Sequence, residues 1–163
     1  IVNIVYFLTI IIIFNRFFFL NGELLIKIIL NLSKSFLDIF GYESLIIEKT
    51  ISGSKAALFM DDSCIGMNLM FLFATFIALL PGSVKHKLWF IPMGLVMIVL
   101  FNSTRIALIF ISVSENNGKY ILPLEIHDLF TYPVLILTLF LWIIWINRFF
   151  MPKSKRRNEE LST

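Results

Sequence analysis

The chain has 163 residues, of which 58% are hydrophobic and 15% charged, with 18 phenylalanines and a net charge of +3. A mean hydropathy of +0.88 excludes an ordinary soluble domain. Several apolar runs approach the roughly 20 residues needed to cross about 30 Å of hydrocarbon. The fold class expected is therefore a single all-α integral membrane domain. It has about four transmembrane helices, an amphipathic interfacial helix and a small β-hairpin on the outer surface. One cysteine excludes an intrachain disulfide and a multi-cysteine metal site, and no cofactor or metal is expected. The basic tail abuts a membrane helix, so it reads as a topology signal and not as a nucleic-acid surface.

Residues 1–20 are almost wholly apolar and predict a first membrane helix, without the basic front and cleavage site of a signal peptide. The chain opens on Ile1 and not Met, already inside that run, so either residues before it are missing or the start is unconventional. From Asn21 to Phe40 the pattern changes. Glu23, Lys27, Asn31, Lys34 and Asp38 recur at three- and four-residue spacing and form one polar stripe. That periodicity predicts an interfacial helix over 22–40, the alternative being a fifth crossing whose stripe faces the bundle. Gly41 ends it. Segments 43–50 and 55–60 predict two strands joined by Ile51-Ser52-Gly53-Ser54, a hairpin within 43–61.

A second crossing is expected over 64–80, stopped by Pro81-Gly82, and a third over 88–113 with Arg105 inside its apolar run. A polar loop follows, then a last helix over 124–150. Pro123 suits its first turn and His127 lies in or near its opening. The tail, 152–163, is short and charged. Lys85, Lys87 and the basic tail mark the cytoplasmic side. Cys64 and His127 then fall at outer helix ends, and Arg105 lies roughly 13 Å below the outer end of its helix at 1.5 Å per residue. All the acidic residues except Glu159 and Glu160 lie on the same outer side.

Those three residues form the candidate site. A helix starting near Cys64 points unpaired N–H groups and a positive dipole end at the sulfur, favouring thiolate. Asp61 and Asp62 oppose that, so a reactive Cys64 needs a cation from elsewhere in the fold. Arg105 supplies one: a guanidinium within a membrane helix usually faces a polar cavity and marks function. Asn102, one turn earlier, is placed to orient it. Each residue has a plainer reading as well: Cys64 as a small buried hydrophobe, His127 as a helix cap, Arg105 as a snorkelling or paired cation.

Three segments, taken in order, resemble the motifs of the exosortase/archaeosortase family. Ser63-Cys64-Ile65-Gly66-Met67 resembles its Cys-x-Gly-apolar motif, Asn102-Ser103-Thr104-Arg105-Ile106 its Asn-x-x-Arg-Ile motif, and Glu125-Ile126-His127-Asp128 its histidine motif. The resemblance implies a membrane cysteine protease or transpeptidase of the inner (cytoplasmic) membrane, its site on the outer side. Its substrate would be a membrane-anchored protein with a C-terminal signal of motif, helix and basic cluster. By the same resemblance Cys64 is the nucleophile, His127 the general acid/base, and Arg105 the support of the thiolate or oxyanion. The chain departs from larger members in having fewer membrane helices, and Ile65 stands where a small polar residue is frequent. Two other readings compete: a non-enzymatic assembly or transporter subunit with a structural Arg105, and an enzyme acting on lipid or polyprenyl phosphate.

Overall fold

A computed structural model describes residues 2–60, 66–115 and 132–150, with side chains before Gly22 described only at Ile12 and Arg16. The elements in chain order are α1 (Val2–Ile39), β1 (Leu45–Ile47), β2 (Thr50–Ser52), β3 (Ala57–Phe59), α2 (Met67–Leu79), α3 (Val84–Glu115) and α4 (Tyr132–Trp145). The last of these continues as a π-helical turn, Ile146–Phe150.

The first helix departs from the sequence reading. A membrane helix over 1–20 and a separate interfacial helix over 22–40 are replaced by one 38-residue helix, about 57 Å long at 1.5 Å per residue. Asn21 and Gly22 are the weak helix formers at the expected break, and even the glycine costs only about 1 kcal/mol. Ile26, Ile29, Leu30, Ser33 and Leu37 offset that by burying a continuous face. Glu23, Lys27, Asn31 and Asp38 are exposed on the other side, so the polar stripe faces away from the core. The helix does not lie across the bundle. It runs parallel to α3, with Ser33 Oγ 3.0 Å from the carbonyl of Ser103 and Tyr42 Oη donating to Glu115 at 2.9 Å.

The expected hairpin is a three-stranded antiparallel sheet of order β1-β2-β3. One predicted strand, 43–50, is cut by a tight turn at Glu48-Lys49, where Glu48 takes a left-handed φ of 53°. Ile47 then pairs with Thr50, and Leu45 with Ser52. On the far side Thr50 pairs with Phe59 and Ser52 with Ala57. Ile51, Ala56 and Met60 point inward and are buried with Ile106, Ala107 and Phe110 of α3 and the apolar face of α1.

A second core lies at the other end of α3. There Met70, Phe73 and Ile77 of α2 pack with Phe90 and Ile98 of α3 and with Val134, Leu137, Leu141 and Trp145 of α4. The two antiparallel helices α2 and α3 meet closely at Gly94, where a Cβ would lie 2.3 Å from Phe73 Cζ. Lys87 Nζ donates to the carbonyl of Ala78 at 2.6 Å, which satisfies an acceptor near the end of α2. Two described helices are long and apolar enough to cross a bilayer, Val84–Glu115 and Tyr132–Phe149; Met67–Leu79 is apolar but shorter. The part of the last helix expected over 124–131 lies outside the described residues.

Candidate functional site

Arg105 is 8% exposed and Asn102 1% exposed, both on the stretch of α3 where the two cores meet. Three residues apart, they share a helix face. Arg105 Nη1 donates to Asn102 Oδ1 at 3.2 Å. That bond sets the amide: its oxygen takes the guanidinium and its NH2 group points elsewhere.

It points toward the segment that carries the cysteine motif. Gly66 is the residue at the start of α2, with φ 71° and ψ 22° in the left-handed region. A Cβ built on it would lie 4.0 Å from Asn102 Nδ2. Glycine suits this position because the left-handed backbone costs an L-residue about 1–2 kcal/mol. Gly66 thus brings the chain, two residues after Cys64, against the amide that holds Arg105.

The guanidinium borders a cavity of about 200 Å³ lined by Phe101, Thr104, Arg105, Leu108, Pro133 and Val134. Its walls are α3 and the opening turn of α4, six residues beyond His127 at Pro133. Thr104 Oγ1 bonds back to the carbonyl of Leu100 at 2.9 Å, which leaves the hydroxyl oxygen as an acceptor beside the cavity. A cation in so apolar a setting interacts strongly with any anion that reaches it, because the local dielectric is far below that of water.

Behind the site, Ser33 on α1 ties the frame together. Its hydroxyl lies 2.8 Å from its own Ile29 carbonyl and 3.0 Å from that of Ser103, the neighbour of Asn102. Sequence reading missed Ser33, although it shares the three- and four-residue spacing of Ile26, Ile29, Leu30 and Leu37. It also missed Thr104 and the cavity wall from α4, which depend on tertiary packing. Cys64 and His127 lie outside the described residues. Of the sequence-predicted site residues, Arg105 and Asn102 are therefore placed, and they are in contact.

The fold and site define a helical membrane protein with a buried, amide-held arginine where its two cores meet. Residues 2–141 match the family described as Transmembrane exosortase. The chain belongs to that family, whose members are membrane-embedded protein-sorting proteases or transpeptidases acting on membrane-associated substrates. No curated protein and no solved structure matches it.

Proposed function

We propose that this protein is a cysteine peptidase or transpeptidase that cleaves membrane-anchored proteins at a C-terminal sorting signal of motif, helix and basic cluster. The carrying observation is the Asn102 amide, which holds Arg105 on one side and meets Gly66 of the cysteine segment on the other. In this reading Cys64 is the nucleophile, His127 the general acid/base, Arg105 the cation that supports thiolate or oxyanion, and Asn102 the residue that positions Arg105. The chain crosses the inner membrane four times, with Ser83–Lys87 and the tail in the cytoplasm and the site facing outward.

The chemistry follows from those roles. The Cys64 thiolate attacks the scissile carbonyl carbon, and the carbonyl electrons move onto oxygen. Arg105 stabilises that oxyanion within an apolar cavity, where a fixed donor is far more effective than in water. Collapse expels the amine, which takes a proton from His127, and leaves a thioester on Cys64. An acceptor, water or a nucleophilic amine or hydroxyl, gives its proton to His127 as it attacks the thioester and frees the thiolate.

The test compares the membrane proteins of cells carrying wild type and Cys64→Ala. A membrane protein with a C-terminal helix and basic cluster should accumulate uncleaved in the variant. His127→Ala should give the same accumulation, since acid/base groups contribute about 10²–10⁴-fold. His86→Ala should not, because that exposed ring, in the first turn of α3, packs on Phe149 at 4.8 Å and lies at the opposite end of the helix from the turns that follow Arg105. Normal processing by Cys64→Ala would end the enzymatic reading.

A further inference from the structure

The sheet has an edge whose hydrogen-bonding groups can be assigned from its register. Met60 N–H donates to the Lys49 carbonyl at 2.8 Å and Gly53 N–H to the Ala56 carbonyl at 2.8 Å. Antiparallel ladders alternate bonded and non-bonded pairs. The pair between these two bonds, Ile51 with Leu58, is therefore a bonded one, and the pairs Thr50–Phe59 and Ser52–Ala57 are not. On β3, then, Ala57 and Phe59 turn their N–H and C=O groups away from β2. Among the described residues no strand pairs with that side, since β3 ends the order β1-β2-β3. The opposite edge differs, because β1 lies against α1.

Three features surround this edge. Phe59 is 68% exposed, a large apolar side chain with no core to fill. Beside it a groove of about 420 Å³ is bounded by Glu23, Ile26 and Lys27 of α1 and by Glu48, Lys49 and Phe59 of the sheet. The chain leaving β3 passes through Met60 and by Gly66 has reached Asn102, at the Arg105 cavity. A row of outward peptide groups is matched by one kind of occupant, another extended peptide.

We infer that the β3 edge is the docking strand for the substrate. An extended segment of the substrate, lying before its membrane helix, pairs with Ala57 and Phe59 as a fourth strand and packs an apolar side chain on Phe59. The adjoining groove carries both acidic and basic groups, so main-chain pairing and this apolar contact supply the binding. The inference rests on the reading of the chain as a peptide-cleaving enzyme, and it adds where and in what conformation the peptide is held.

The probe is a synthetic peptide copying the segment before the helix in the protein that accumulates with Cys64→Ala. Its affinity is measured by fluorescence anisotropy for full-length Cys64→Ala protein in nanodiscs, with and without Ala57→Pro. Proline at 57 removes an outward N–H and leaves the β2–β3 bonds intact, so affinity should fall roughly fivefold to tenfold, the loss of about one net hydrogen bond. A second series methylates the peptide's amides one at a time against the unaltered edge. Weakening at every other residue is the signature of strand pairing, and this series decides the matter if Ala57→Pro fails to fold. Equal affinities, or methylation effects without a two-residue period, would overturn the docking strand. So would a monomer–dimer equilibrium abolished by Ala57→Pro, which would show that the edge pairs with a second copy. If no protein accumulates with Cys64→Ala, the enzymatic reading falls first and the docking strand with it.

Discussion

Arg105 is held by Asn102 one turn below it on α3, Nη1 to Oδ1 at 3.2 Å, and both side chains are withdrawn from solvent. A guanidinium so placed has lost much of the rotamer freedom of a free arginine before any substrate arrives. The fixed donor fork is what distinguishes it from a lysine at the same position.

Asn102→Ala should therefore lower the rate of processing without removing the cation. A hydrogen bond to a charged group contributes about 1.5–3 kcal/mol, so kcat should fall roughly tenfold to a hundredfold, with KM little changed. Arg105→Lys keeps the charge and loses the fork, and should cost about 10²–10³-fold, as the loss of an oxyanion donor does. Steady-state kinetics in nanodiscs separate the two. An Arg105→Lys enzyme of normal kcat would remove Arg105 from the chemistry.

The close approach at Gly94 predicts a stability defect remote from the chemistry. A methyl there falls 2.3 Å from Phe73 Cζ in a filled core, and overpacking of this kind costs about 1–3 kcal/mol. Gly94→Ala should lower the thermal midpoint in detergent. Adding Phe73→Leu should restore part of it, since the smaller side chain makes room. If Gly94→Ala unfolds at the wild-type midpoint, α2 and α3 are not packed as described.

Tyr42 offers a pH signature. Its phenol donates to Glu115 at 2.9 Å, and that hydrogen bond, followed by desolvation and then by the carboxylate's charge, raises its pKa above the ordinary value of 10.0. The fold favours the protonated phenol. Its stabilising contribution is therefore full below the unfolded value and is lost as pH rises through the raised folded value. The gap in thermal midpoint between wild type and Tyr42→Phe should be constant from neutrality to about pH 9, then close above about pH 10. A gap that widened at alkaline pH would contradict the contact.

Topology is tested by labelling. Single cysteines on a Cys64→Ala background should be protected from an impermeant thiol reagent at Ser83 and in the tail after Pro152. Cysteines within 116–122 should react from outside. Labelling of Ser83 from outside would invert the assignment.

Much of the frame could be read from residue order. Pro81-Gly82 separates α2 from α3, Gly41 takes a left-handed φ of 78° just past α1, and the three-residue step from Asn102 to Arg105 predicts a shared helix face. Two features could not. The Glu48-Lys49 turn uses neither glycine nor proline, so nothing local announced that one expected strand is two. The continuity of α1 depends on Ile26, Leu30 and Leu37 finding α3, a partner about seventy residues away in sequence. At the site, the step within α3 is local, whereas the wall from Pro133 and Val134 and the brace from Ser33 exist only once the helices pack.

The brace has a consequence of measure. Ser33 fixes α1 to the turn of α3 that carries Asn102, and the sheet is built on the same two helices. The strand edge and the guanidinium are thus mounted on the same pair of packed helices, like the two jaws of a calliper. If a substrate is gripped at the first and cut at the second, the number of its residues between them is fixed by the enzyme. Lengthening that interval by one residue would present a different peptide bond to Cys64.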